Sequence, residues 1–196
     1  MQLLIVSGFL GTGKTTFIIN FVKSALQKGV KVAILVNEVG EIGIDDKLMR
    51  RLGLNVWEIL GGCICCTLAV NLNETLDKLL QEYKPDLVLL EPSGVADLNS
   101  VNSIIEIYEK KALLKTRKMT IIDPLRLPML MEVLTPLITS QIQAAELVLI
   151  NKEDLASPEE MENALKTVRD IRPEAKTLCT SLKEHFDPTI VDEFLS

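Results

Sequence analysis

The segment Gly8-Phe9-Leu10-Gly11-Thr12-Gly13-Lys14-Thr15 sets two glycines, with four residues between them, directly before Lys and Thr. That spacing suits phosphate. Glycines let the backbone turn tightly enough for successive N–H groups to face one anion-sized hollow, and a helix opening near Lys14 adds its N-terminus behind them. Lys14 brings a point charge for β- and γ-phosphates, and the Thr15 hydroxyl is placed to hold Mg²⁺. Gly8, Gly11, Thr12, Gly13, Lys14, Thr15 and Thr16 are therefore the candidate nucleotide-binding residues here, although Thr16 also simply suits an early helical position. A glycine-rich turn that happens to precede a helix is the plainer alternative.

Two further acidic residues follow apolar runs. Leu87 to Leu90 leads into Glu91-Pro92-Ser93-Gly94, so a carboxylate ends a buried stretch and a glycine follows three positions later. Glu91 is where a carboxylate facing Mg²⁺ belongs, and the Gly94 N–H could sense a γ-phosphate, as switch loops do. Capping of the next helix is the plainer role for Glu91. Leu147 to Ile150 leads into Asn151-Lys152-Glu153-Asp154. A buried carboxylate at Asp154 would accept from the ring N–H and the exocyclic amine of guanine, a donor pair adenine lacks, which predicts GTP and GDP over adenine nucleotides. Asn151 would brace the loop, the Lys152 stem would cover the base, and Thr180-Ser181 would add backbone support. Lys14, Thr15 and Glu91 are the candidate catalytic residues of a slow GTP hydrolase; no glutamine or arginine is clearly placed on an attacking water.

A third kind of chemistry sits between these loops. Gly61-Gly62-Cys63-Ile64-Cys65-Cys66 places three thiols within four residues. Thiolates at 63 and 65 face the same way in extended backbone and Cys66 joins them if the loop bends, giving three soft ligands for a thiophilic ion. Glu38 and Glu41, after the second strand, are candidates to complete the set. Buried small hydrophobes or a redox pair remain open alternatives. Cys179 reads as structural. Cysteines packed this way do not form the spaced framework of a secreted scaffold, which predicts a reducing, cytoplasmic setting.

These residues need a scaffold that brings them to one edge. Leu3 to Ser7, Val32 to Val36, Val56 to Leu60, Leu87 to Leu90, Met119 to Ile122 and Leu147 to Ile150 are short β-rich runs, and Thr177 to Leu178 is a candidate edge strand. Segments of helical length and spacing separate them, the last being Pro188 to Leu195. The alternation predicts an α/β fold of the P-loop NTPase type, three layers α/β/α around a mostly parallel sheet, with ligands at the carboxyl ends of the strands. At 196 residues, one domain over 1–196 is expected. The net charge of -6 argues against nucleic acid as a partner. No apolar run reaches the ~20 residues of a membrane span, so a soluble protein with no membrane partner is expected.

In this order, the phosphate loop, Asn37-Glu38-Val39-Gly40-Glu41 leading to Ile44-Asp45-Asp46, Gly62-Cys63-Ile64-Cys65-Cys66, Glu91-Pro92-Ser93-Gly94, Gln141-Ile142 and Asn151-Lys152-Glu153-Asp154 span nearly the whole chain. The pattern resembles the CobW-type metallochaperone GTPases, kin of the nickel-inserting GTPases of urease and hydrogenase. The resemblance implies that Cys63, Cys65 and Cys66 bind Zn²⁺, Co²⁺ or Ni²⁺, that Glu38 and Asp46 belong to a switch region, and that GTP binding is coupled to metal capture or release. It also implies a client metalloprotein or metalloenzyme, and association as a nucleotide- or metal-dependent homodimer. The family usually carries a second, C-terminal domain, often after a histidine-rich linker, whereas this sequence ends at Ser196 and holds only His185. The competing readings are a GTP-dependent regulator of a corrinoid or other metalloenzyme without metal cargo, and a small-molecule kinase, which has no use for Asp154.

Overall fold

The computed structural model describes residues 1–36, 55–58, 76–92, 105–106, 109 and 115–195. Among them run seven strands: β1 (Gln2–Ser7), β2 (Val32–Val36), β3 (Asn55–Glu58), β4 (Leu87–Glu91), β5 (Lys115–Ile122), β6 (Leu147–Ile150) and β7 (Lys176–Cys179). They form one sheet in the order β3-β2-β4-β1-β5-β6-β7, and every pairing in it is parallel. The helices are α1 (Lys14–Gln27), α2 (Leu127–Val133), α3 (Thr135–Ala144), α4 (Pro158–Ile171) and α5 (Thr189–Leu195), with a π-helical turn at Leu79–Tyr83.

The apolar strand runs divide by alternation, because successive side chains leave a strand on opposite faces. Leu4 and Val6, Ile34, Leu87 and Leu89, Met119 and Ile121, and Leu147 and Leu149 share one core with α1 and α5. Their neighbours Leu3, Ile5, Ala33, Leu35, Val88 and Leu90 line a second core on the other face with Leu76 and Leu79. On that side of the sheet beyond β1, Ile122, Val148 and Ile150 pack with Leu127, Leu130, Ile138, Ile142, Ala164 and Val168 from α2, α3 and α4. A sheet buried on both faces needs continuously apolar strands, so the three expected layers are present.

Helix α1 turns Phe17, Ile18, Phe21, Val22 and Ala25 to the sheet at helical spacing, and all five are fully buried. Phe17 meets Phe21 at 5.4 Å and Phe186 at 5.8 Å between ring centroids, and Phe21 meets Phe194 of α5 at 6.1 Å. Phe194 is 2% exposed, and full burial of such a ring contributes roughly 1.5–3 kcal/mol, so α5 closes the α1 side of the sheet as a structural element. The expected last helix is thus present, beginning at Thr189 after Pro188.

Strand positions agree closely with expectation over the described residues, with Ile59 and Leu60 of the expected third strand lying outside them and one instructive difference in β5. β5 begins four residues before Met119, because Lys115 to Lys118 pair with Gln2 to Ile5 of β1. Its other neighbour, β6, joins only from Met119 onward. The early half of β5 therefore has strand cover on one side alone, and its Lys-Thr-Arg-Lys residues keep contact with solvent. Among the described residues no helix is long and apolar enough to cross a membrane.

Candidate functional site

The chain runs from β1 out to β2 on one side and returns to β5 on the other, so the carboxyl end of β1 is the switch point where such sheets receive ligands. The loop of residues 8–13 occupies it. Gly8 has φ +140°, and a Cβ there would lie 2.5 Å from the Ile121 carbonyl oxygen, so only glycine lets the loop leave β1 flush against β5. Gly13, at φ +107° and ψ 16°, is the residue from which α1 starts. A Cβ on it would stand 2.3 Å from Asn151 Nδ2.

Helix α1 has no side-chain cap and no acidic residue in its first turn. This contrasts with α4, where Ser157 Oγ accepts the Glu160 N–H and the Glu160 carboxylate accepts the Ser157 N–H in a complete capping box. The first-turn N–H groups of α1 are thus left with no side-chain acceptor, the condition under which a helix N-terminus receives an anion. Lys14 is buried with its ammonium 3.4 Å from the Phe9 carbonyl oxygen and 3.8 Å from Glu91 Oε1. Glu91 is the last residue of β4, in register with Val36 of β2, so it stands at the carboxyl end of the sheet and faces the phosphate loop. Thr15 is half-buried on the first turn of α1, whereas Thr16 points to solvent. Thr12 Oγ1 donates to the Phe9 carbonyl at 2.9 Å and closes the loop on itself.

Asn151 ties this loop to the next. It is buried at the end of β6, and its Nδ2 donates to the Thr12 carbonyl at 2.7 Å while its Oδ1 accepts the Leu182 N–H at 2.9 Å. One amide therefore joins the phosphate loop, the 151–154 segment and the segment after β7. Thr180 strengthens the last connection: its N–H donates to the Ile150 carbonyl at 2.9 Å, and its carbonyl accepts the Glu153 N–H at 3.2 Å. Ser181 Oγ beside it is buried with no hydrogen-bond partner among the described residues. Asp154 is exposed, open to an incoming ligand, and differs in this from the buried carboxylate expected. Cys179, expected to be structural, instead ends the edge strand β7 with its side chain exposed, and partial burial followed by the Glu153 charge raises its thiol pKa.

Asp123 and Arg126 carry no motif, yet both fasten to residues of the candidate site. Asp123 follows β5, is 2% exposed, and holds the Lys152 ammonium at 2.6 Å through Oδ2. Arg126 Nη1 donates to the Leu10 carbonyl at 2.7 Å with its guanidinium 5.4 Å from the centre of the Phe9 ring. The signal that could have found Asp123 is the one that singled out Glu91, an acidic residue closing an apolar parallel strand. Arg126 offers no comparable signal.

Glu38, Glu41, Asp46, Cys63, Cys65, Cys66 and Gly94 lie outside the described residues. Among the described residues, no group of three or more His, Cys, Asp or Glu could hold a metal ion.

The zinc chaperone YeiR of Escherichia coli (strain K12) is 35% identical over 157 residues, which is 79% of this chain and 47% of that protein. The zinc chaperone CobW of Sinorhizobium sp is 30% identical over 200 residues, covering 85% of this chain and 53% of that one. The chain thus spans about half the length of these relatives. Among solved structures, the hydrogenase maturation factor HypB from Archaeoglobus fulgidus superposes with a TM-score of 0.71 at 20% identity, covering 100% of this chain and 91% of that one. At that identity the likeness speaks for the fold, a P-loop GTPase architecture. The family model described as CobW/HypB/UreG, nucleotide-binding domain, matches residues 2–179, and the chain belongs to that family.

Proposed function

We propose that this chain is a GTP-binding and GTP-hydrolysing metallochaperone domain, in which nucleotide state governs the binding and delivery of a transition metal through Cys63, Cys65 and Cys66. The observation that carries the nucleotide half is the Asn151 amide, which holds the phosphate loop and the Asn151–Asp154 segment in one rigid relation. A site so joined can read both ends of one ligand. Lys14 would exchange its contacts with the Phe9 carbonyl and Glu91 for β- and γ-phosphate oxygens, and Asp154 would accept the guanine donors. Thr15 and Glu91 offer a hydroxyl and a carboxylate, hard oxygen donors of the kind Mg²⁺ takes, and they would hold that ion beside the phosphates. Mg²⁺ supplies neutralisation of the charge that develops on the transferred phosphoryl group.

Support for the metal half comes from the C-x-C-C spacing, from the relatives' names as zinc chaperones and from Glu38 and Glu41 as further donors. Zinc is the first candidate cargo, with cobalt and nickel as alternatives, and a client metalloprotein is the destination. GTP would order the segments around Glu38 to Asp46 and Glu91 to Asp97, and hydrolysis would relax them. Such coupling is reciprocal: whatever factor GTP applies to metal affinity, metal must apply to GTP affinity. Titrating Zn²⁺, Co²⁺ and Ni²⁺ calorimetrically with and without a non-hydrolysable GTP analogue is expected to show a ratio of roughly 5 to 150. Equal affinities in both states would overturn the coupling, and no binding in either would remove the cargo role.

A further inference from the structure

Asp123 is held from three directions before any ligand arrives. Its Oδ1 accepts the Leu125 N–H at 3.1 Å, its carbonyl accepts the N–H groups of Arg126 and Leu127 that open α2, and Arg126 in turn is fastened to Leu10. The Oδ2 is thus a fixed point in the site, and what it fixes is the Lys152 ammonium. Lys152 has φ +66°, one of two residues other than glycine with positive φ among those described. Such a conformation persists in a side-chain-bearing residue only where the surroundings enforce it. The enforcement here comes from a buried carboxylate at one end and from the Asn151 and Glu153 backbone contacts at the other.

We propose that Asp123 is a positioning residue for the nucleotide base: by anchoring the Lys152 ammonium it holds that side chain's four-carbon stem ready as an apolar wall for one face of the ring. The inference rests on the reading of Asn151–Asp154 as the base reader. A free lysine gives up its rotamer freedom when it closes over a ligand, whereas a lysine already anchored gave it up on folding. Asp123 itself touches no part of the nucleotide. The stem lies against the face of the ring and leaves its hydrogen-bonding edge alone, so guanine and hypoxanthine nucleotides benefit equally. A ligand with no ring benefits not at all.

The test uses the full chain and measures calorimetric affinities for GDP, IDP and inorganic pyrophosphate. Asp123→Asn keeps an acceptor for the Leu125 N–H and drops the charge on Lys152. It is expected to weaken GDP and IDP by the same factor, about threefold to tenfold, the worth of one immobilised long side chain, and to leave pyrophosphate unchanged. In a Lys152→Met background the same substitution should change GDP affinity by less than about twofold, since separate contributions add and shared ones do not. Should Asp123→Asn fail to fold, Lys152→Met, which keeps a long unbranched apolar stem and drops the charge at its end, must show the same loss on GDP and IDP. A parallel loss on pyrophosphate would make Asp123 merely structural and overturn the proposal, as would an undiminished effect in the Lys152→Met background. Failure of the base-reader reading would look different: Asp154→Asn would then leave the preference for guanine over xanthine nucleotides unchanged.

Discussion

Asn151→Ala removes one donor and one acceptor from the place where three loops meet. The amide makes two buried bonds, to the Thr12 carbonyl at 2.7 Å and from the Leu182 N–H at 2.9 Å, and it is itself 5% exposed. Each bond contributes about 1 kcal/mol net, and each partner left buried and unpaired loses about 1–3 kcal/mol more unless water reaches it. Thr12 and Leu182 are 2% and 3% exposed, so water reaches neither easily, and a loss of about 2–4 kcal/mol is expected. For a chain of this length that corresponds to a fall in Tm of about 5–15 °C. Urea denaturation followed by circular dichroism, with the slope unchanged, measures it. Asn151→Asp separates the two bonds: it can still accept from Leu182, but at neutral pH it turns a carboxylate on the Thr12 carbonyl. It should match or exceed the alanine loss at pH 7 and recover part of it as acid restores an O–H donor. A loss within about 0.5 kcal/mol, the ordinary range of surface changes, would refute the claim that this amide holds the loops together, as would an Asp variant indistinguishable from the parent.

Gly13→Ala should be worse for binding than for folding. The residue keeps φ +107° and its new methyl meets Asn151 Nδ2, so the loop must shift just where α1 begins; at least a tenfold loss of GDP affinity, about 1.4 kcal/mol, is expected by calorimetry, and unchanged affinity would contradict the geometry. The capping box of α4 gives a pH dependence of definite sign. The Ser157 N–H, then the Ser157 hydroxyl, lower the Glu160 pKa from 4.5, so its contribution is full above the unfolded value and is lost as pH falls through the folded one. Glu160→Gln should therefore lose less stability than the parent between pH 6 and pH 3 in denaturant titrations, and identical pH profiles would count against the box.

The sheet was readable because its strands are buried on both faces, so local apolarity alone marked them; where β5 lost its cover on one side, at Lys115 to Lys118, the mark vanished with it. The same distinction separates the candidate-site residues whose placement could be read from those whose placement could not. Gly8, Gly13, Lys14 and Glu91 stand at fixed offsets from a strand end, and an offset is a property of one segment. Asn151 is intermediate: its place after β6 was legible, but its bond to Thr12 depends on β5 lying between β1 and β6, a fact of strand order that only the assembled sheet supplies. Asp123 and Arg126 lie at the far end of that scale, since their meaning resides wholly in partners 29 and 116 positions away. The strand that lies between the 8–13 loop and the 151–154 segment is also the one whose terminal corner fastens to both, through Asp123 on Lys152 and Arg126 on Leu10. Leu127, the first residue of α2, donates its N–H to the carbonyl of the same Asp123, so one corner ties the start of that helix to Lys152 and, through Arg126, to the loop of residues 8–13.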